Sequence, residues 1–198
     1  GHKPTAARST SLAQRSGLPY LAFEYGFLRS LKPGTAQRPV SMVMDRTGIY
    51  YDARQPSDLE TTLQAGTITD EERATARAVL KAIAAARLSK YNHGSDSLDG
   101  LTLPPEKQVV LVIDQTAGDE SIAGGLADAS SFERMAEAAA RENPDAVLIA
   151  KLHPETLTGA KSGYIASAAR RLGMRLLSMH VSPWALFQLK PRVYTVSS

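Results

Sequence analysis

The feature that most constrains the fold is a run of five aliphatic residues, Val109–Ile113, which opens an alternation of strand-like and helical segments. A continuous apolar run of this length is typical of a strand buried on both faces of a parallel sheet. Helices are predicted at 130–142, 163–172 and from Ser182, and further strands at 146–150, 174–177 and 193–196. This spacing predicts an α/β fold with a parallel, Rossmann-like sheet and right-handed crossovers.

The first half of the chain is less regular and predicts a smaller α/β part. Its predicted elements are a helix at 5–15 ended by Gly17, a buried strand at 18–23, a hairpin of 40–44 with 49–51, and helices after Pro56 and Thr69. Between residues 89 and 107 the periodicity stops, and Pro104 and Pro105 are typical of a connector. We therefore predict a first domain at 1–103 and a second at 104–198.

Composition excludes several kinds of site. The 198 residues contain no cysteine, which removes disulfides, thiolate nucleophiles and Cys-ligated zinc. The net charge is +3, and the basic residues are scattered without interleaved aromatics, so the sequence does not predict a nucleic-acid groove. The four histidines are too dispersed to form a recognisable pair of metal ligands. No apolar segment typical of a signal peptide is visible at the start of the sequence, and no apolar run is long enough for a transmembrane helix.

Polar residues follow the predicted strands of the second half. They are Gln115, Lys151, His153, Ser197 and Ser198. Because ligands of such sheets bind at the carboxyl ends of the strands, we expect these side chains to meet in one crevice. A solvated lysine and a His-Pro turn are the ordinary interpretations of the single residues. Because an apolar sheet has no structural need for their convergence, a site for a phosphate or a nucleotide is an alternative interpretation of equal weight.

In the first half, the segment from Glu24 to Arg29 follows a predicted strand. A carboxylate and a guanidinium at a strand end can place an acid or base beside an anion-binding group. A strand-to-turn junction with a surface ion pair explains the same residues, and composition alone favours this second interpretation.

A series of short motifs in order is similar to a known family. The motifs are 1–4 (GHKP), 24–30 (EYGFLRS), 48–52 (GIYYD), 56–60 (PSDLE), 89–92 (SKYN), 112–119 (VIDQTAGD) and 151–154 (KLHP). Together they resemble the capsule polysaccharide synthesis and export family, whose KpsC-like members are retaining β-Kdo glycosyltransferases. The resemblance covers essentially the whole chain.

The resemblance implies a GT-B-like fold and transfer of Kdo from CMP-Kdo to a lipid-linked Kdo acceptor, with retention and without a bound metal or cofactor. It implies a bacterial, cytoplasmic protein in contact with the inner-membrane surface and with capsule assembly proteins. Nucleic acid is not an implied partner. A CMP-sugar other than CMP-Kdo, such as CMP-sialic acid, is a further alternative for the donor.

The resemblance also implies roles for single residues. Lys151, His153 and Pro154 match the motif that holds the CMP phosphate and ribose. Ser197 and Ser198 match a serine motif at the donor phosphate, and Gln115 is expected beside them. Glu24 is implied at the reacting centre, and Arg29 is suited to the carboxylate of the sugar.

The sequence departs from the family at Tyr25, where relatives usually have a second acid. A phenol, with a pKa near 10, is a poor base at neutral pH. Three alternatives follow: Glu24 takes the role, another carboxylate does, or the chain is a catalytically silent assembly module that binds nucleotide, glycan or a partner protein. No helix follows Ser198, and we expect the chain to be the middle portion of a longer enzyme.

Overall fold

A computed structural model describes residues 4–30, 37–90, 92 and 94–197, with side chains from residue 6 onward. The chain divides into two compact units, Gly1–His93 and Gly94–Ser198. In the described part of the chain, no helix has both the length and the apolar character needed to cross a membrane.

The division lies earlier in the chain than the predicted boundary between residues 103 and 104. Ser95 forms a β-bridge with Val181. Leu98, Leu101 and Leu103 pack against the buried core of the second unit. The segment that the sequence presented as a connector thus belongs to the second unit, because its spaced leucines bury apolar surface there.

Within its described residues, the first unit contains three helices and a two-stranded sheet. The helices are α1 (Pro4–Ser16), α2 (Asp58–Ala65) and α3 (Asp70–Ala85), and the antiparallel strands are β1 (Ala22–Tyr25) and β2 (Met42–Asp45). Helix α1 ends at Gly17, which has a φ of +62°. Ser57 caps α2, and Thr69 forms a capping box with Glu72 on α3, so the predicted helix starts are confirmed.

The predicted strand at 18–23 is wrong in its position. The N–H of Leu18 bonds to the carbonyl of Ala13 and completes the end of α1, and Pro19 has no N–H to give to a sheet. The strand begins at Ala22 instead and includes Glu24 and Tyr25. These two residues therefore lie within β1, and not after it.

The predicted hairpin between 40–44 and 49–51 is also wrong. Strand β2 pairs with β1, and residues 49–51 lie in a turn outside both strands. The buried carboxylate of Asp45 causes the turn, because its Oδ1 accepts the N–H groups of Thr47 at 2.9 Å and Gly48 at 2.8 Å. A side-chain acceptor thus takes the place of a strand partner.

The second unit is a parallel four-stranded sheet with helices around it. Its strands are β3 (Val109–Ile113), β4 (Val147–Lys151), β5 (Arg175–Leu177) and β6 (Arg192–Tyr194), in the order β5-β4-β3-β6. Its helices are α4 (Glu120–Gly124), α5 (Ala129–Glu142), α6 (Pro154–Leu157), α7 (Ala166–Arg171) and α8 (Pro183–Phe187). The predicted parallel sheet is confirmed.

Strand β3 is buried on both faces, as its composition predicted. Val110 and Val112 pack into one core cluster with Phe132, while Val109 and Leu111 pack into another on the opposite face. Successive side chains of a strand point to opposite faces, so two clusters on one strand mean that the sheet is covered on both sides.

Candidate functional site

The strand order places the carboxyl ends of β3 and β6 side by side. The chain runs from β3 to β4 and β5 on one side of the sheet, and then crosses to β6 on the other side of β3. The carboxyl ends of β3 and β6 therefore flank a topological switch point, where parallel α/β sheets bind their ligands. Gln115 follows β3, and Ser197 follows β6.

Gln115 and Ser197 lie in contact at this switch point. Gln115 Nε2 donates to Ser197 Oγ at 2.8 Å, and the N–H of Ser197 donates to Gln115 Oε1 at 3.3 Å. The expected meeting of these two residues is thus observed, and their role in binding stays a prediction. Ser198 lies outside the described residues.

The sequence interpretation missed a third member of this group, Ser121. Its Oγ lies 3.1 Å from Ser197 Oγ and 3.4 Å from Gln115 Nε2. We call Gln115, Ser121 and Ser197 the switch-point cluster. Ser121 lies on α4, a helix of five residues that has no periodicity to reveal it. In the sequence, Asp119 could have indicated the start of this helix, because aspartate is a preferred N-cap residue.

Lys151 lies at the end of the neighbouring strand β4. Its side chain is partly buried, and loss of solvent around the ammonium lowers the pKa of Lys151 below the usual 10.5. Among the described residues, no carboxylate lies within ion-pair distance of it. A partly desolvated cation without a counter-charge is unfavourable for stability, and it is suited to an anionic ligand.

His153 and Pro154 begin helix α6, so the predicted turn at this dipeptide continues into a short helix. His153 Nδ1 accepts the N–H of Glu155 at 3.2 Å, and Pro154 occupies the first helical position. Glu155 Oε2 also lies 3.7 Å from the same Nδ1, which would require a charged ring. We favour the neutral ring, because Glu155 is already paired with Lys161 at 3.0 Å. The ring hydrogen then lies on Nε2.

Asp114 anchors the loop that leads to α7. The residue is 3% exposed, and Oδ1 accepts the N–H groups of Tyr164 at 2.9 Å, Ile165 at 3.3 Å and its neighbour Gln115 at 3.0 Å. Oδ2 is buried without a hydrogen-bond partner among the described residues, and a Cβ on Gly163 would lie 2.0 Å from it. Asp114 therefore holds the end of β3 against the start of α7.

The stability of the protein should depend on pH through Asp114. Burial raises the pKa of this carboxyl above 3.8, so the folded state keeps its proton to a higher pH than the unfolded state. The stability that this proton provides is complete below the unfolded-state pKa and is lost as the pH rises through the folded-state pKa. The Asp114→Asn variant has no such proton, and its unfolding free energy should rise relative to the parent's from about pH 4 to pH 7.

Urea unfolding across this pH interval measures the difference, and Asp128→Asn is the control. Hydrogen bonds from Ser130 and Ser131 lower the pKa of Asp128, so the stability that its charge provides is present above the ordinary pKa and is lost only at lower pH. The stability of that variant relative to the parent should therefore stay nearly constant over the same interval. If the unfolding free energies of the parent and of Asp114→Asn changed in parallel with pH, the raised pKa of Asp114 would be contradicted.

In the first unit, the predicted catalytic residues lie on and after β1. Glu24 Oε1 accepts the N–H of Tyr25 at 3.0 Å, and Oε2 lies 3.5 Å from the hydroxyl of Tyr51. The guanidinium carbon of Arg29 lies 4.0 Å from the centroid of the Tyr25 ring. Tyr25 thus makes a cation–π contact with Arg29, an arrangement that the sequence did not predict.

Gly26 permits the backbone arrangement beside Glu24. Its N–H donates to the carbonyl of Ser41 at 3.0 Å, and a Cβ at this position would lie 2.2 Å from Ser41 Oγ. Only glycine fits so close an approach. Glu24 and Arg29 belong to the first unit, and the switch-point cluster, Lys151 and His153 belong to the second.

The described residues do not bring three or more His, Asp or Glu side chains together in a way that could hold a metal ion.

Comparisons with known proteins agree on one family. The profile of the family described as "Capsule polysaccharide biosynthesis protein" matches residues 1–198. The chain is 42% identical over 202 residues to the capsule polysaccharide modification protein LipA of Neisseria meningitidis serogroup B, covering all of this chain and 29% of LipA. It is 34% identical over 191 residues to the lipopolysaccharide-processing protein LpsZ of Rhizobium meliloti, covering 94% of this chain and 43% of LpsZ.

A solved structure shares the fold. The Thermosulfurimonas dismutans KpsC, a beta Kdo 2,4 transferase, superposes with a TM-score of 0.87 and 41% sequence identity. The match covers 95% of this chain and 59% of the KpsC chain. The chain therefore spans less than two thirds of these relatives, and under a third of LipA.

Proposed function

The chain belongs to the capsule polysaccharide biosynthesis protein family, and on that premise we propose that it is the donor-binding and reacting part of a glycosyltransferase. The proposed reaction transfers Kdo from CMP-Kdo to a lipid-linked Kdo acceptor with retention of configuration. The proposed fold of the whole enzyme is of the GT-B type, and no metal or other cofactor takes part. The enzyme would act in the cytoplasm, at the inner-membrane surface and beside other capsule assembly proteins.

The observation that carries the proposal is the placement of Lys151 near the carboxyl edge of a parallel sheet. Its ammonium is partly desolvated, and in the described chain it has no acidic partner. A phosphate can supply the missing charge, and the switch point of the same sheet is the usual place for a nucleotide. The solved KpsC structure, whose fold this chain shares, is that of a Kdo transferase, which supports CMP-Kdo as the donor.

The donor contacts follow from the chemistry of each side chain. Lys151 would neutralise the CMP phosphate, and His153 would donate from Nε2 to a phosphate or ribose oxygen. Pro154 fixes the start of α6 and with it the orientation of His153. Gln115 and Ser197 would contribute amide and hydroxyl groups, and Ser198 would continue the serine motif.

The reacting groups would come from the first unit. The Glu24 carboxylate would attack the anomeric carbon as the bond from that carbon to the CMP phosphate oxygen breaks, and CMP would leave with the electron pair of that bond. The acceptor hydroxyl oxygen would then form the new glycosidic bond as the bond between Glu24 and the anomeric carbon breaks, and its proton would pass to the phosphate of the released CMP. Two successive displacements retain the configuration. Arg29 would pair with the sugar carboxylate through the N–H edge of its guanidinium, while the Tyr25 ring covers the face.

A transfer assay on the full-length protein tests this function. CMP-Kdo and a lipid-linked Kdo acceptor should give CMP and an extended glycan, and NMR of the product should show a retained anomeric configuration. Competition between CMP-Kdo and CMP-sialic acid would identify the donor. Preference for CMP-sialic acid would contradict the choice of Kdo.

A catalytically silent assembly module is the second candidate, and Tyr25 is the observation that favours it. The phenol ring lies against Arg29 in the place of an acid, so the expected second carboxylate is absent from that position. Under this alternative, the parent binds CMP without transfer, and Tyr25→Asp gains activity. Under the leading proposal, the parent is already active because Glu24 takes the role, and Tyr25→Asp does not increase transfer.

A further inference from the structure

We propose that Ser121 is a positioning residue of the donor site, held in place by Asp119, and that it sets the orientation of Ser197 and Gln115 toward the phosphate of the donor nucleotide. This inference rests on the proposed function, because it names a further residue of the same site. Neither the motifs nor the comparisons assign a role to Ser121 or Asp119.

Ser121 is held in a fixed position. Asp119 Oδ1 accepts both the N–H and the hydroxyl of Ser121, at 3.0 Å and 2.9 Å. The next residue, Ile122, is 4% exposed and belongs to the same core cluster as Val112 of β3. Ser121 is thus held by a hydrogen-bonded carboxylate on one side and by the packing of α4 on the other.

The hydrogen bonds around Ser121 have a direction that follows from the donors and acceptors present. A serine hydroxyl has one hydrogen, and an ionised carboxylate only accepts, so Ser121 gives its hydrogen to Asp119. In the 3.1 Å contact between the two hydroxyls, Ser121 is then the acceptor. The hydrogen of Ser197 has two acceptors at 3.1 Å, Ser121 Oγ and Gln115 Oε1, while Gln115 Nε2 donates to Ser197 Oγ at 2.8 Å. When Ser197 donates to Ser121, the chain of donors runs from Gln115 through Ser197 and Ser121 to Asp119.

This arrangement has a consequence for a ligand. The Ser121 hydroxyl points its hydrogen at Asp119 and presents a fixed acceptor to Ser197, so that less ordering of Ser197 and Gln115 is needed when a nucleotide arrives. When a phosphate oxygen accepts the Ser197 hydrogen, Ser121 Oγ can still accept from Gln115 Nε2, which lies 3.4 Å away. Ser121 therefore preserves the geometry of the switch-point cluster in both states.

The backbone around the cluster is tight enough to maintain this geometry. The N–H of Gly125 donates to the carbonyl of Ser121 at 2.9 Å. A Cβ on Gly125 would lie 2.9 Å from that same oxygen and 3.9 Å from the Cβ of Ser197. The end of α4 thus passes close to Ser197, and a displacement of Ser121 would be transmitted to it.

Ser130 offers a matched control on another helix. Ser130 Oγ donates to Asp128 at 2.6 Å, the same contact between a serine and a capping aspartate two residues earlier. In the described structure, Ser130 has no hydrogen bond to the switch-point cluster, and its hydroxyl accepts from Arg134 instead. Ser130→Ala therefore removes an equivalent hydrogen bond away from the cluster.

The experiment measures CMP binding and CMP-Kdo kinetics in the full-length protein and three variants. Ser121→Ala should weaken CMP binding and raise KM for CMP-Kdo by about five-fold, as expected for one hydrogen bond, with kcat within about two-fold of the parent. Ser121→Thr keeps the hydroxyl and should restore affinity to within about two-fold. Ser130→Ala should bind CMP as the parent does.

Each outcome decides one question. If the parent binds CMP and Ser121→Ala binds it equally well, the role of Ser121 is wrong and the proposed function stands. If Ser121→Ala and Ser130→Ala weaken binding alike, the effect is one of stability, and the positioning role is again wrong. If the parent does not bind CMP, the proposed function fails and this inference fails with it.

Discussion

Replacement of Lys151 by methionine is expected to weaken CMP binding on the order of 100-fold while making the unliganded protein more stable by about 1 kcal/mol. The loss of affinity follows from removal of the charge that would pair with the phosphate. The gain in stability follows because the lysine is partly desolvated without an acidic partner in the described chain, whereas methionine has a similar length and no charge to desolvate.

The prediction is specific because the affinity for CMP and the stability are expected to change in opposite directions. Calorimetric titration with CMP gives the affinity, and urea unfolding without ligand gives the stability. Lys107→Met is the control, because Lys107 is an exposed lysine that precedes β3, at the amino end of the sheet. If Lys151→Met bound CMP with unchanged affinity, or if Lys151→Met and Lys107→Met had equal effects, Lys151 would not be part of the donor site.

The pKa of Lys151 gives the same site a pH dependence. Because this pKa is lowered, the ammonium loses its proton at a lower pH than an ordinary lysine does. Affinity for CMP should therefore fall in the alkaline range earlier than expected for an exposed lysine, and the fall should be absent in Lys151→Met.

Replacement of Glu24 by glutamine is expected to reduce kcat for Kdo transfer by at least about 1,000-fold, with CMP affinity within about two-fold of the parent. Glutamine keeps the size of the side chain and its acceptor oxygen, so the contacts with Tyr25 and Tyr51 can persist. What it loses is the negative charge that the reaction would use at the anomeric carbon.

Steady-state transfer assays on the full-length protein measure this effect, with Glu71→Gln as the control. Glu71 is an exposed acid in the first turn of α3 within the same unit. Full activity of Glu24→Gln would exclude Glu24 as the reacting carboxylate. Loss of CMP affinity in the same variant would instead indicate a defect in folding.

The sheet was predictable because its signals are local. The strand Val109–Ile113 is recognisable from its run of apolar residues, and the helix Ala129–Glu142 from the helical spacing of its apolar residues. The capping residues Ser57 and Thr69 set the starts of their helices through contacts only three residues long. In each of these cases, neighbours along the chain decide the structure.

The structure departs from the sequence predictions where residues distant along the chain determine the local conformation. The turn at 49–51 depends on the buried carboxylate of Asp45, which also accepts the N–H of Asp58. The segment before β3 joins the second unit through a bridge to Val181. Helices α4 and α6 are too short to show a period, although their caps, Asp119 and His153, are visible in the sequence.

The candidate site was predictable in part for the same reason. The order of the strands brings Gln115 and Ser197 together, and a parallel sheet required that meeting. The contact of Ser121 with Ser197 joins residues that are 76 positions apart, and no local pattern indicates it. The stacking of Arg29 on Tyr25 likewise follows from the path of the loop after β1.

The central claim, that the carboxyl edge of the parallel sheet binds the CMP part of the donor, is tested most directly by a crystal structure of the full-length protein with CMP. The account predicts CMP at the ends of β3, β4 and β6, with its phosphate within about 3 Å of Lys151 Nζ and its oxygens in reach of His153 and Ser197. A nucleotide bound elsewhere, or a phosphate that does not contact Lys151, would contradict it.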